Sequence, residues 1–302
     1  MKKAFTLIEL IITMVILAIV AYFSSDLIAQ TYLGYNRANT LHRANLRVEL
    51  ALNSIANRLE NAIEGTIVKR ASETDSSLET IDGAPQNYNV LEWIGNDIDS
   101  FEAHANLSGT APATMNRPAW SGFCDIRNST NNRIVTPGSN LSFANEIISR
   151  LSNSNASFSN GLVALFFPGN YNYRDIGYND GTFNNSGVAL ISGFDSLNST
   201  FSLSAPITRV TEHYKLAWSA YAVLPVNCNA KGVCDLELRY NFRPWRGEDY
   251  YSNGVSKALL TKNVTVFKTY ATQNRVHIKL CVQEQLGANT KTSICKEKVV
   301  FR

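Results

Sequence analysis

One carboxylate stands where lipid-facing sequence rarely tolerates a charge. Residues 5–25 read FTLIELIITMVILAIVAYFSS, and Glu9 is their only charged side chain. As a helix, this stretch is long enough to cross a hydrocarbon core of ~30 Å. An ionised side chain in that core costs ~2.5–3.5 kcal/mol on insertion scales, so Glu9 calls for a partner of opposite charge. Lys2 and Lys3 precede the run. The positive-inside bias puts that end in the cytoplasm and everything after Asp26 on the other side of the membrane. A cleaved secretory signal needs small residues three and one before the cut. Cutting after Ala29 puts Leu27 at the first of these places, and cutting after Ser25 puts Phe23 there. A plain signal anchor explains the lysines and the apolar run, but not Glu9.

Cysteines offer the next chemistry. Cys124, Cys228, Cys234, Cys281 and Cys295 all lie beyond the apolar run, so they meet an oxidising compartment. Cys228 and Cys234 bracket a tight Asn/Gly loop between two apolar runs, and Cys281 and Cys295 bracket a polar turn. Local pairing 228–234 and 281–295 follows, leaving Cys124 over. Zinc fits poorly: no C-x-x-C occurs, and His42, His104, His213 and His277 lack ligand spacing. There is no G-x-S-x-G, phosphate loop, dinucleotide fingerprint or H-E-x-x-H, so no enzyme is expected. Glu212-His213 has the types of an acid/base pair but reads as a polar strand entry. Lys291, Lys296, Lys298 and Arg302 make a basic end that reads as a solvated edge discouraging strand pairing. A net charge of +3 disfavours a binder of nucleic acid resting on bulk charge.

The elements that must carry these residues follow from the apolar pattern. Leu41, Val48, Ile55 and Ala62 recur every seven residues, with Leu52 and Leu59 between them. No proline occurs before Pro85, and Gly65 is a stop signal. The pattern predicts one helix over residues 5–64, with a bend or loosening at Gly34. Its outer part, 26–64, is amphipathic and serves as the spine of a head at 66–302. That head is rich in Asn, 17 of the chain's 32 falling within 95–200, which makes it turn-rich. Runs at 161–167, 187–191 and 201–203 read as strands, and 144–151 as a short helix started by Asn140 or Ser142. Residues 214–224 and 233–242 read as a hairpin, and 264–270, 276–282 and 299–301 as three final strands. The fold class is α+β, a long N-terminal helix packed against one β-rich globular head.

Lys2-Lys3-Ala4-Phe5-Thr6-Leu7-Ile8-Glu9-Leu10 resembles the class III signal of type IV pilins and pseudopilins. The resemblance implies a leader at 1–4, cleavage between Ala4 and Phe5 by a prepilin peptidase, and N-methylation of Phe5. Ala4 departs from the glycine usual before the cut. Glu9 becomes the fifth residue of the mature chain, the family's acidic position, where it pairs with a neighbouring subunit's N-terminal amine. Arg47–Ala62 and the order of runs near the carboxy terminus resemble J-type minor pseudopilins of type II secretion and related minor pilins. Calcium sites occur in some pseudopilin heads, and 170–185, with Asp175 and Asp180, is the stretch such a site would use; hairpin turns account for most of it, and no cofactor is expected. The implied function is a non-enzymatic assembly subunit, with the tip as one place for it, of a secretion, pilus or DNA-uptake filament. Its partners are other pilin-like subunits, the peptidase/methyltransferase, an inner-membrane assembly platform and the bilayer. The head then lies in the periplasm. The rival reading is a membrane-anchored periplasmic binding or sensor protein with an uncleaved anchor. Removing residues 1–4 takes away two lysines, so 26 basic against 25 acidic side chains remain, a net of +1.

Overall fold

A computed structural model describes residues 6–72, 77–106, 116–169, 171, 173–178, 187–286 and 290–301. Helix α1 (Leu7–Glu60) is continuous through Gly34, and its 54 residues extend about 80 Å. From Leu7 to Arg43 every residue but Thr40 is exposed; burial begins at Ala44. Val48, Ala51, Leu52, Ile55, Ala56 and Leu59 continue the buried face. Leu41, expected in that stripe, is 36% exposed because the head does not reach down to it. The helix also ends short of the expected residue 64. Asn61 caps it, and the chain is then claimed by a strand: Ala62 bridges to Gly95, and Ile63 N–H donates to Ile94 O at 2.9 Å. Gly65, at φ +78°, takes the turn that follows.

After α1 come β1 (Val68–Arg70), β2 (Leu78–Thr80), β3 (Val90–Ile94), the one-turn helix α2 (Ile98–Phe101) and the ribbon of β4 (His104–Asn106) and β5 (Asn116–Pro118). Next are β6 (Arg133–Val135), α3 (Leu141–Leu151), β7 (Ala164–Phe166), β8 (Val188–Asp195) and β9 (Thr200–Leu203). The chain closes with β10 (Lys215–Ala217), β11 (Ala220–Val226), β12 (Cys234–Phe242), β13 (Ser256–Thr272), β14 (Arg275–Gln285) and β15 (Lys291–Phe301). An antiparallel eight-stranded sheet runs β15-β14-β13-β12-β11-β3-β1-β2, and a five-stranded sheet runs β10-β7-β8-β9-β6. The larger sheet curls around the helix: Lys69 on β1 donates to Thr269 O on β13 at 2.8 Å, although three strands separate them in the sheet order. One face meets α1 through Leu91, Trp93, Phe267, Ile278 and Leu280. Part of the other face packs against β7 and β8, and the outer side of β7 and β8 packs against α3. The described part of the molecule is therefore α+β, a long helix followed by a β-rich head.

The expected strand 214–224 is two strands in two sheets. β10 pairs with β7, β11 pairs with β3 and β12, and the break falls at Trp218-Ser219. Polar partners force the break. Ser219 Oγ accepts from Asn241 N–H at 2.8 Å, Ser219 O accepts from Gly95 N–H, and Arg243 Nε donates to Trp218 O at 3.2 Å. Beside this crossing lies Asp97. Its carboxylate accepts from Trp218 Nε1 at 3.3 Å and from Ser100 Oγ, which in turn accepts from Trp120 Nε1 at 3.0 Å. No cation serves Asp97 in these contacts, and burial pushes its carboxyl up to about 6. Elsewhere β13, β14 and β15 exceed the runs read from sequence, whereas β7 is only the middle of the run 161–167, and β8 and β12 each begin one residue later than read. Asn140 caps α3, its side chain accepting from Phe143 N–H.

Two disulfides staple the larger sheet. Cys228–Cys234 closes the β11–β12 turn, and Cys281–Cys295 joins residues directly opposed on β14 and β15; both have Cα–Cα distances of 4.0 Å. Cys124 is a buried free thiol in the core of the smaller sheet. The loop-closure model predicts that removing the wider-spaced 281–295 link costs about 3 kcal/mol and the 228–234 link about 2 kcal/mol. Denaturant titration of the two double-serine variants checks that order. A second expectation concerns pH. Burial also pushes Glu92 up to about 7, against the pull of Arg70 at 2.9 Å. A folded-state pKa above the unfolded value stabilises at low pH, and that contribution is lost as pH rises through the folded value. The Tm should therefore fall between about pH 4.5 and 7.5. Asp97→Asn should flatten the profile and leave only the part due to Glu92; an unchanged slope would show that Asp97 does not titrate there.

Candidate functional site

The amino-terminal end of α1 begins with a reciprocal cap. Thr6 is the N-cap residue, and Glu9 N–H donates to Thr6 Oγ1 at 3.4 Å. In return Glu9 Oε2 accepts from Thr6 N–H at 3.1 Å and from Thr6 Oγ1 at 2.9 Å. The first turn of a helix presents unsatisfied N–H groups and the positive end of its dipole, so a carboxylate is favoured there. Glu9 is thus folded back toward the chain's N-terminal side, next to where residue 5 joins Thr6. Ala4 and Phe5 lie outside the described residues. The capping role of Thr6 is what the sequence reading missed. Its signal was present, since Thr6-x-x-Glu9 before an apolar run is the spacing of a capping box.

Beyond the cap, α1 is long and apolar enough to cross a membrane. Leu7, Ile8, Met14, Leu17, Phe23, Leu27 and Ile28 are each more than 60% exposed, and the isolated chain offers them no cover. Further along, three polar contacts tie the helix to the last two strands. Arg47 pairs with Glu284 on β14. Lys296 Nζ meets Glu49 Oε2 at 2.7 Å, and Lys298 Nζ donates to Asn53 Oδ1 at 2.8 Å. Lys296 and Lys298 therefore belong to the helix contact and not to a freely solvated edge. Lys291 Nζ lies 3.5 Å from Gln283 Oε1, and Arg302 is outside the described residues. The carboxylate of Glu49 is held below the usual range by the Lys296 hydrogen bond and charge.

The other candidate sites do not gather. His213 forms an isolated backbone bridge with Phe123, its ring edge-on to that phenyl, while Glu212 O accepts from Cys124 N–H. This is the strand-like setting read from sequence. Of the stretch considered for calcium, Asp175 sits in a 3-10 turn at Tyr173–Asp175, and Asn170, Asn172 and 179–186 lie outside the described residues. Among the described residues no three His, Cys, Asp or Glu side chains converge as a metal site.

Comparison with known proteins bears on the amino terminus. Residues 1–21 match the family model described as the prokaryotic N-terminal methylation motif. No curated protein and no solved structure matches the chain. The matched span contains the lysine pair, the Ala4–Phe5 bond, the Thr6–Glu9 cap and most of the apolar run. The chain thus carries the signal of type IV pilins and pseudopilins, followed by a long helix and a β-rich head.

Proposed function

We propose that this chain is a minor pilin or pseudopilin, a non-enzymatic subunit that a prepilin peptidase cuts between Ala4 and Phe5, methylates at Phe5, and passes to an assembly platform in the inner membrane. The observation that carries this reading is the place of Glu9. It is the one charge in an apolar run of membrane-spanning length, and its carboxylate reaches back to the first turn of its own helix. Cleavage creates an amine cation four residues from it. Within one subunit Thr6 satisfies part of the carboxylate. In a filament the amine of a neighbouring subunit completes the pair, and the cost of leaving either charge alone in hydrocarbon selects the axial register. The head is held in the periplasm, with the helix clamped to β14 and β15 so that displacement of the anchor is transmitted to the sheet. The second sheet adds bulk to one side of the head, which suits a place at the tip better than repetition along a shaft. The resemblance to J-type minor pseudopilins points the same way.

N-terminal sequencing or intact-mass measurement of protein purified from membranes tests the reading directly. N-methylphenylalanine at position 5 is expected, and an intact Met1 would support an uncleaved anchor instead. Glu9→Val should leave cleavage unchanged while strongly reducing the share of subunit recovered in the sheared filament fraction. Recovery equal to that of the native chain would refute the pairing.

A further inference from the structure

The face of β13–β15 turned away from α1 is built in cross-strand rows. Lys268 stands directly opposite Lys279, which stands opposite Glu297. The next row places Tyr270, His277 and Val299 side by side, and the one after it Thr272, Arg275 and Phe301. Lys268, Lys279 and Arg275 are exposed, Tyr270 is 46% exposed and Phe301 67%. Tyr270 stacks on His277 with ring centroids 4.5 Å apart, and Arg275 lies over Phe301 at 5.0 Å. Glu297, the one carboxylate in these rows, is already engaged by His277 Nδ1 at 3.0 Å and by Tyr270 OH at 3.2 Å.

Two lysines directly opposed on neighbouring strands repel one another, so the sheet gains nothing from that pair. The chain as a whole is close to neutral, with 28 basic against 25 acidic side chains, yet three cations meet here against one carboxylate, Glu297, whose charge Lys279 shares with His277. Lys296 and Lys298, on the opposite face, are occupied by α1. We propose that this outer face binds a single-stranded polynucleotide, with Lys268, Lys279 and Arg275 drawing the phosphates and Tyr270 and Phe301 offering rings on which bases stack. The charge calls for an anion. The exposed rings beside the cations favour a ligand with π-faces over an acidic protein surface, which would use the cations alone. This inference goes beyond assembly and needs neither cleavage nor Glu9, so the uncleaved precursor serves equally well in the test.

The full chain in zwitterionic detergent is titrated against a fluorescent oligo-dT of about 20 nucleotides, with oligoglutamate of matched charge as competitor. Three phosphate contacts to a single strand predict affinity about 20-fold weaker on raising salt from about 50 to about 200 mM. Lys268→Ala with Lys279→Ala should reduce that salt effect to about 3-fold. Phe301→Ala should weaken binding about 5-fold or more at fixed salt while leaving the salt effect as it was. Oligo-rU in place of oligo-dT distinguishes RNA from DNA as the source of the strand. Absence of binding at low salt, an unchanged salt effect in the double variant, or oligoglutamate competing as well as unlabelled oligo-dT would each overturn the proposal; the last would assign the face to an acidic protein.

Discussion

Between Ala44 and Leu59, one stripe of α1 disappears beneath a curled sheet, and the head is arranged around that burial. Three of the seven buried helix residues are alanines, at positions 44, 51 and 56. Small side chains let the backbone of the helix come close to the strands, and Val48, Leu52, Ile55 and Leu59 fill the space on either side. Because the sheet curls, both ends of it touch this one axis. Ile67 and Ile81 reach the stripe from the β1–β2 side, and Val276, Ile278 and Val300 reach it from the other. A helix apolar enough to cross a membrane tolerates no proline or exposed backbone group along its length, and the sequence obeys that limit until well past the last buried turn.

Where the sheets meet, the structure relies on buried polar groups. Asp97 holds two tryptophans, one directly and one through Ser100, and Arg243 bonds to Trp218 O, Asn241 and Glu248. Such groups contribute modest net free energy when satisfied and are costly when orphaned, so they define one arrangement of the two sheets more than they strengthen it. The joint is therefore specific in geometry and sensitive to proton concentration, whereas the helix–sheet contact is neither polar nor titratable at its centre.

The sequence disclosed these two regions unequally. The anchor, the amphipathic outer helix and the β11–β12 hairpin were readable because each is a local pattern: a long apolar run, a seven-residue spacing, two alternating runs around an Asn/Gly loop. Ala44 was missed and Leu41 wrongly included because a heptad fixes a face of the helix but not how far along it the head extends. The split at Trp218-Ser219 was hidden because YKLAWSAYAVL is apolar but for Lys215 and a single serine, and only partners elsewhere in the sequence, Gly95, Asn241 and Arg243, show that two sheets divide it. Lys296 and Lys298 looked like edge charges because their partners, Glu49 and Asn53, lie more than two hundred residues earlier. At the amino terminus the cap is a local pattern too, Thr6-x-x-Glu9, but it lies inside a run whose apolar character is the stronger signal.

β3 and β11 are neighbours in the larger sheet, with Ile94 directly opposite Ala220, yet residues 95–219 intervene between them. The chain leaves the sheet and returns to it at almost the same point, so the whole smaller lobe is a side branch on a hairpin. A short turn could rejoin its entry and exit, but Val68, Ile94, Leu224, Phe242 and Trp245, which Phe166, Tyr178 and Val188 of the lobe help to bury, would then face water. The lobe is thus an insertion in sequence but integral in packing: whatever lies between residues 94 and 220 must bring an apolar surface of its own to cover that face of the parent sheet.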